Sequence, residues 1–172
     1  MLADKGLLTL KVAVNGMMEI EGFISLKDAA GVNPPDHLPS EIEAAFKEGA
    51  TCLAVNCANA AATMFRLCVD LATRDKLPPD GTPGINARQR RDLGLRLPWL
   101  FESKLLPEEL RELSVCIKDD GNDGAHAGTL TQEDAVDLLD FTLALLSRIY
   151  TEPQRLLLAQ SRRADRRAKK DG

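Results

Sequence analysis

One short stretch of the chain combines the side chains that acid–base chemistry uses. It runs from Asp119 to His126 and contains Asn122 and one of the two histidines of the 172-residue chain. Imidazole changes charge near neutral pH, so His126 is a candidate general acid or base, and Asn122 can orient it or a bound phosphate. Acid–base or phosphate chemistry is therefore one hypothesis for this stretch. The alternative is structural: both side chains cap helix ends.

Metal binding at the same stretch fits the sequence poorly. A calcium loop starting at Asp119 needs an oxygen ligand at its third position and a glutamate at its twelfth, which are Gly121 and Leu130. A transition metal needs more nitrogen or sulfur ligands than His126 supplies. The four cysteines match no zinc spacing, and His37 stands in a proline-rich loop without neighbouring ligands. We therefore predict no metal and no cofactor.

Charge is divided unevenly along the chain. The formal net charge is −4, but residues 152–172 hold seven Lys/Arg and three Asp/Glu, so the remainder carries −8. The acidic body disfavours indiscriminate binding to nucleic acid or anionic membranes, because its field repels phosphate. Residues 159–172 have almost no apolar side chains beyond alanine, which predicts that they are frayed or disordered and act as an electrostatic arm. Its candidate ligand-binding residues are Arg162, Arg163, Arg166 and Arg167.

Composition also bounds the fold and the compartment. With 44% hydrophobic residues, the chain can build one sizeable core without a second domain. No apolar run approaches the ~20 residues of a membrane span, and no signal peptide is recognisable. The cysteine pattern is that of reduced thiols. We therefore expect one main domain in a cytoplasmic protein that makes no membrane contact.

The first part of the chain predicts a β-hairpin and a linker. Apolar residues alternate on both sides of Asn15-Gly16, the dipeptide typical of a type I′ turn. Prolines then exclude a helix over residues 31–39. We assign residues 1–37 to this hairpin and linker, residues 38–160 to a helical domain, and residues 161–172 to the basic tail.

The helical domain begins with two predicted helices. Ser40 and Glu43 form a capping-box pattern, and Gly49 marks the expected end of the first helix. The second is expected over residues 51–76, where apolar residues recur at three and four. A separate face of it is polar. Arg66 and Asp70 on that face predict an exposed ion pair, with a functional Arg66 as the alternative.

The later helices follow from arginines, prolines and caps. Arginines after the second proline-rich loop surround apolar positions: Arg88, Arg90, Arg91 and Arg96. They predict a solvated helix face or a phosphate contact. Pro107 predicts one helix start and Thr131 another. Residues 135–150 are apolar over an unusually wide face, which predicts a homodimer that buries part of it or brings the 119–126 stretches together.

Five short elements carry a family resemblance. They are Leu38-Pro39-Ser40-Glu41-Ile42, Arg66-x-x-x-Asp70, Leu105-Leu106-Pro107, Gly121-Asn122-Asp123-Gly124-Ala125-His126 and Ser147-Arg148-Ile149-Tyr150. In this order they resemble the bacterial branch of the HEPN superfamily known as domain of unknown function 4145. The resemblance covers roughly residues 38–160, and its most specific part is the block that ends at His126. In that branch a CxxC zinc ribbon often precedes the helical domain, and this chain has no CxxC.

The resemblance implies an all-α antiparallel bundle that commonly dimerises so that two histidine motifs face each other. Active members of the superfamily are metal-independent endoribonucleases. Their motif is an arginine, often followed by a polar residue, then four to six residues and a histidine. His126 and Asn122 take the histidine and polar places. The arginine place falls on residues 119–121, which are Asp, Asp and Gly, and Lys118 is one residue too far.

Two functional hypotheses follow. The first is a HEPN-like, mainly α module with a short N-terminal β-hairpin that associates with RNA, a nucleotide or a protein partner, in stress or phage defence, with catalysis lost or altered. The second is a metal-independent endoribonuclease that uses His126, Asn122 and Arg66, the last replacing the missing arginine. Asp123 and Lys118 are further candidate ligand-binding residues. Whether the protein is an enzyme stays open at this point.

Overall fold

The structure, a computed structural model, describes residues 31–119 and 130–169. Its helices are α1 (Ser40–Ala54), α2 (Ala58–Arg74), α3 (Ala87–Arg91), α4 (Leu93–Glu102), α5 (Cys116–Asp119), α6 (Gln132–Leu146) and α7 (Glu152–Ala168). Two 3-10 turns, Glu108–Leu110 and Leu113–Val115, precede α5, and a π-helical turn, Ser147–Thr151, joins α6 to α7.

The mainly α prediction is confirmed, since the described ranges contain helices and no strand. The predicted hairpin lies outside the described residues. Within the same ranges, no helix combines the length and apolar composition needed to cross a bilayer.

The break between α1 and α2 differs from the prediction. The first helix continues past Gly49 to Ala54, and the second begins at Ala58. Gly49 is a packing position: a Cβ there would lie 2.9 Å from Cε1 of Phe65. The chain reverses instead at Asn56, whose φ of 60° is left-handed. The short connection makes α1 and α2 an antiparallel pair.

The predicted capping box at the start of α1 is also wrong. Pro39 is the N-cap and no side chain caps this end; its carbonyl accepts from the Glu43 N–H at 2.9 Å. The Glu43 carboxylate instead pairs with Lys47 at 2.5 Å. An exposed ion pair one turn along the helix has replaced the reciprocal cap.

Helix α2 lies at the centre of the core, between α1 and α6. Its Phe65 ring meets Phe46 of α1 with centroids 5.6 Å apart. On the other side, the buried Thr142 hydroxyl of α6 donates to the Phe65 carbonyl at 3.5 Å. Small α2 residues, Ala61, Ala62 and Ala72, are wholly or almost wholly buried. Their small size allows neighbouring helices to approach closely. A separate, polar face of α2 contacts other segments of the chain.

The wide apolar face of residues 135–150 is largely used inside one chain. Seven residues of α6 are buried in the core: Ala135, Leu138, Leu139, Phe141, Thr142, Leu145 and Leu146. Val136, at 39% relative exposure, is its only large hydrophobic residue that is exposed. The width of that face therefore reflects packing within the bundle, and it does not by itself require a partner chain.

Candidate functional site

Arg66 holds the chain where it approaches the stretch that contains Asn122 and His126. The half-buried guanidinium donates from Nη1 to the carbonyl oxygen of Ile117 at 2.6 Å. Ile117 is fully buried in α5, two residues before the first described range ends. A charged donor at this distance makes a strong hydrogen bond to a carbonyl. Arg66 therefore fixes the entry to residues 120–129.

Asn59 holds the chain where it leaves that stretch. Its Oδ1 accepts from the backbone N–H of Leu130 at 3.2 Å. Nearby, the Gln132 side chain donates to the Leu53 carbonyl at 2.9 Å, which ties the start of α6 to the end of α1. Asn59 and the α1 end thus position the exit from residues 120–129.

The two anchors occupy one face of one helix. Asn59 and Arg66 are seven residues apart in α2, so they project from the same side, separated by roughly 10 Å along the axis. Entry and exit are therefore brought to a single helical surface. The sequence-predicted residues Asn122, Asp123 and His126 lie outside the described residues.

Asp70 does not make the ion pair with Arg66 that sequence spacing predicted. Its Oδ1 meets Nη2 of Arg96, and its Oδ2 lies 2.6 Å from Nη2 of Arg74. Asp70 is thus taken by α4 and by its own helix. Among the described residues, no carboxylate makes an ion pair with Arg66, and its guanidinium donates there to the Ile117 carbonyl.

Arg96 corrects the prediction for the arginines that follow the second proline-rich loop. Its side chain is fully buried and, besides Asp70, reaches the Thr73 hydroxyl at 3.1 Å and the Arg90 carbonyl at 2.5 Å. Arg90 donates to the Pro78 and Pro79 carbonyls at 2.9 and 2.7 Å. Both arginines organise backbone and are unavailable for phosphate, whereas Arg88 and Arg91 are exposed as predicted.

The four candidate arginines of the basic tail lie on α7. This helix has no buried residue, and Arg162, Arg163, Arg166 and Arg167 are all exposed. The predicted boundary between residues 160 and 161 falls inside α7, which runs as one helix to Ala168. Lys118, the remaining candidate, lies in α5.

The described residues contain no group of three or more His, Cys, Asp and Glu side chains that could hold a metal ion. All four cysteines are described and none forms a disulfide. Burial raises the pKa of the Cys68 thiol to about 12, so this cysteine is an inert core residue. His37 is exposed in a turn with φ 67°, in keeping with its assignment to a solvated loop.

A family profile described as "Domain of unknown function (DUF4145)" matches residues 47–170. The chain belongs to this family. The match covers most of the chain and includes α2 with both anchors, the 120–129 stretch and all of α7. Comparisons with curated proteins and with solved structures gave no match.

The anchoring role of Asn59 was missed at the sequence level. A signal existed, because Asn59 and Arg66 fall on the polar face that interrupts the apolar pattern of this DUF4145 helix. What spacing could not show is which backbone groups that face would meet. Ile117 and Leu130 are 51 and 71 residues away in sequence from their partners.

Proposed function

We propose that this DUF4145 protein is a HEPN-like helical module that binds RNA in the cytoplasm and whose catalysis is lost or altered. Stress or phage defence is the context that the HEPN resemblance implies. The exposed arginines of α7 support binding, and the contact of Arg66 with the Ile117 carbonyl supports the loss of cleavage.

The observation that carries the binding part is the exposed cationic surface of α7. Five arginines and one glutamate and one aspartate lie in a helix of 17 residues without a buried side chain, a net charge of +3. Arg155 is paired with Asp36 at 2.8 Å, and no ion pair engages the other four within the described ranges. Guanidinium groups bind phosphates through two parallel hydrogen bonds. An exposed row of them suits a phosphate backbone.

The loss of cleavage is supported by the way Arg66 is used. Transesterification of RNA needs positive charge on the scissile phosphate besides an acid and a base. Residues 119–121 supply two aspartates and a glycine where active HEPN proteins have an arginine. Arg66 on α2 is the candidate to replace this arginine, but its guanidinium already donates a hydrogen bond to the Ile117 carbonyl. It therefore serves first as an anchor of the backbone.

A second candidate function, metal-independent endoribonuclease, is favoured by one feature of the same contact. The guanidinium has five N–H donors, of which the Ile117 carbonyl engages one. The remaining donors stand beside the entry to the stretch with Asn122 and His126. In this mechanism His126 is the general acid or base, Asn122 orients the phosphate, and Arg66 stabilises its charge.

Binding is tested by fluorescence anisotropy with labelled single-stranded RNA over a range of salt concentrations. We expect Arg163→Ala/Arg167→Ala to weaken binding and to flatten the salt dependence by about 0.7 logarithmic units per lost phosphate contact. The exposed pair Arg88→Ala/Arg91→Ala on α3 is the charge-matched control and should bind as the wild type does. No detectable affinity for RNA, or binding of free nucleotide alone, would contradict the proposal.

Cleavage is tested with the same RNA in excess EDTA. The proposal predicts intact RNA for the wild type and for His126→Ala. Cleavage by the wild type that both His126→Ala and Arg66→Ala abolish, while Arg91→Ala retains it and all variants stay folded, would establish the endoribonuclease instead.

A further inference from the structure

Two of the four cysteines stand at the connection between α1 and α2. Cys52 belongs to the last turn of α1, and Cys57 is the residue from which α2 begins. Cys57 is exposed and Cys52 is half-buried, whereas Cys68 is fully buried in the core. Two thiols that a small solute can reach therefore lie five residues apart in the sequence.

The end of α1 brings these two residues together. The backbone turns at Asn56, whose φ of 60° is left-handed, and the Cys57 N–H then donates to the Cys52 carbonyl at 2.9 Å. The Asn56 N–H donates to the Leu53 carbonyl at 3.1 Å. These two hydrogen bonds are those of a Schellman motif, in which the side chains of the first and sixth residues commonly contact each other. Cys52 and Cys57 occupy these two places.

The same hydrogen bond limits the distance between the two Cα atoms. With 2.9 Å between the Cys57 nitrogen and the Cys52 oxygen, standard covalent geometry allows a Cα separation of at most about 6.8 Å. Disulfides span Cα separations of roughly 4.4 to 6.8 Å. The backbone at the end of α1 is therefore close enough for a disulfide between these residues.

The surroundings give the two thiols different roles. Burial raises the pKa of the Cys52 thiol, and the nearby Cys57 and Glu48, when ionised, raise it further. The effect of Cys57 agrees with two sulfurs that lie near each other. Cys52 also lines a cavity of about 490 Å³ beside α1. Cys57, the more exposed of the two, is the first to meet an oxidant, and Cys52 stays protonated beside it.

We propose that Cys52 and Cys57 form a redox modification site, at which hydrogen peroxide converts the two thiols into an intramolecular disulfide. The Cys57 sulfur attacks one peroxide oxygen, the O–O bond breaks, and a sulfenic acid and one water form. The Cys52 sulfur then attacks the sulfenic sulfur. The S–S bond forms, the S–O bond breaks, and a second water leaves with the Cys52 proton. Two electrons pass from the sulfurs to the peroxide, and a small thiol reverses the reaction by disulfide exchange.

The pair adjoins both contacts that hold the exit from residues 120–129. Leu53, next in sequence to Cys52, accepts from the Gln132 side chain at 2.9 Å. Asn59, which accepts from the first described residue after the stretch, is two residues beyond Cys57. Disulfides in a reducing compartment are usually transient and respond to oxidants. The inference adds an oxidant-responsive position beside the candidate site, and it does not rest on RNA binding.

Peptide mapping of the full chain tests the assignment. The protein is treated with hydrogen peroxide, denatured, alkylated without reductant and digested with trypsin. Cleavage after Lys47 and Arg66 gives one peptide that contains Cys52 and Cys57 and no other cysteine. We expect this peptide to escape alkylation and to lack two hydrogen atoms relative to its reduced form. Dithiothreitol should restore both thiols.

The digest and three variants supply the controls. Cys68, in the peptide of residues 67–74, should be alkylated fully. Cys57→Ser should leave Cys52 open to alkylation after peroxide, whereas Cys52→Ser should leave a sulfenic acid on Cys57 that dimedone labels. Cys116→Ser should form the disulfide as the wild type does, and circular dichroism establishes that each variant is folded.

Three results for the peroxide-treated wild type would overturn the proposal. They are full alkylation of both Cys52 and Cys57, disulfides that form only between chains, and oxygen addition to Cys57 that dithiothreitol does not reverse. Each would mean that the two sulfurs do not meet at the end of α1.

Discussion

Two arginines connect helix α2 to other parts of the molecule in different ways. Arg96 has no exposed surface, and its guanidinium meets a carboxylate, a hydroxyl and backbone carbonyls. Arg66 is half-buried and meets one carbonyl, that of Ile117. A buried arginine must have its donors satisfied because desolvation is costly, whereas a half-buried one can leave donors free for water or a ligand. The difference separates a structural site from a candidate functional site on the same helix.

The largest loss of stability should come from removing the buried guanidinium of Arg96. We expect Arg96→Met to lower the free energy of unfolding by about 3–5 kcal/mol, because it strips the buried Thr73 hydroxyl and the Asp70 carboxylate of their partner. Urea denaturation followed by circular dichroism measures it. Arg74→Met removes the other partner of Asp70 but starts from a side chain that is 54% exposed, so it should cost about 1 kcal/mol or less. Equal losses for the two variants would erase the distinction.

The next effect concerns Arg66. Arg66→Ala should lower the free energy of unfolding by about 1.5 kcal/mol, since it removes one hydrogen bond from a charged donor to a buried residue's carbonyl. Arg91→Ala, on an exposed position, should change it by no more than about 0.5 kcal/mol. A loss as large as that of Arg96→Met would mean that Arg66 is a second structural arginine, and it would weaken the endoribonuclease alternative.

Asn59 should contribute less, because its contact with Leu130 is between neutral groups. We expect Asn59→Ala to cost about 1 kcal/mol in urea denaturation. Asn59→Asp keeps an oxygen that can accept from the Leu130 N–H, so it should recover part of that loss. If the aspartate variant is no more stable than the alanine variant, this hydrogen bond does not hold the exit of the stretch.

Local chemistry made some of these features predictable. Thr131 was expected to open a helix, and the structure confirms it with a reciprocal capping box between Thr131 and Asp134. The helical class followed in the same way from periodicity, and the resemblance to DUF4145 followed from short motifs. Each of these signals depends on residues close together in sequence, where backbone geometry alone decides which groups meet.

Contacts between distant residues could not be predicted in this way. Arg96 sat in a row of arginines that spacing assigned to solvent, yet α2 places Asp70 and Thr73 beside it across 26 and 23 residues. The sequence predicts a helix end at Gly49 because the packing of this residue against Phe65 has no local signal. The partners of Arg66 and Asn59 are the same case. A side chain's role here depends on helix packing, which composition and period do not specify.

The smallest predicted effect concerns the capping box at the start of α6, directly after the residue that Asn59 contacts. Asp134 accepts from the Thr131 backbone N–H at 2.7 Å, and its hydrogen bonds with the Thr131 backbone and hydroxyl hold the pKa of the Asp134 carboxyl below its usual 3.8. This cap begins α6 directly after Leu130. As at Arg96, the polar groups of the cap are hydrogen-bonded to each other, but the cap is exposed. Its contribution to the free energy of unfolding should therefore be small, and it should depend on pH.

Because the folded-state pKa of Asp134 is lowered, its contribution is complete above pH 3.8 and is lost as the pH falls through the folded value. We expect wild type to be more stable than Asp134→Asn at neutral pH, and the two to converge below pH 3.8. Urea denaturation from about pH 2.5 to about pH 7 measures the convergence, because ordinary carboxylates titrate within this range. Asp137→Asn, an exposed neighbour outside the cap, should not converge in this way. A wild-type advantage that persists unchanged in acid would show that the charge of Asp134 does not stabilise the cap.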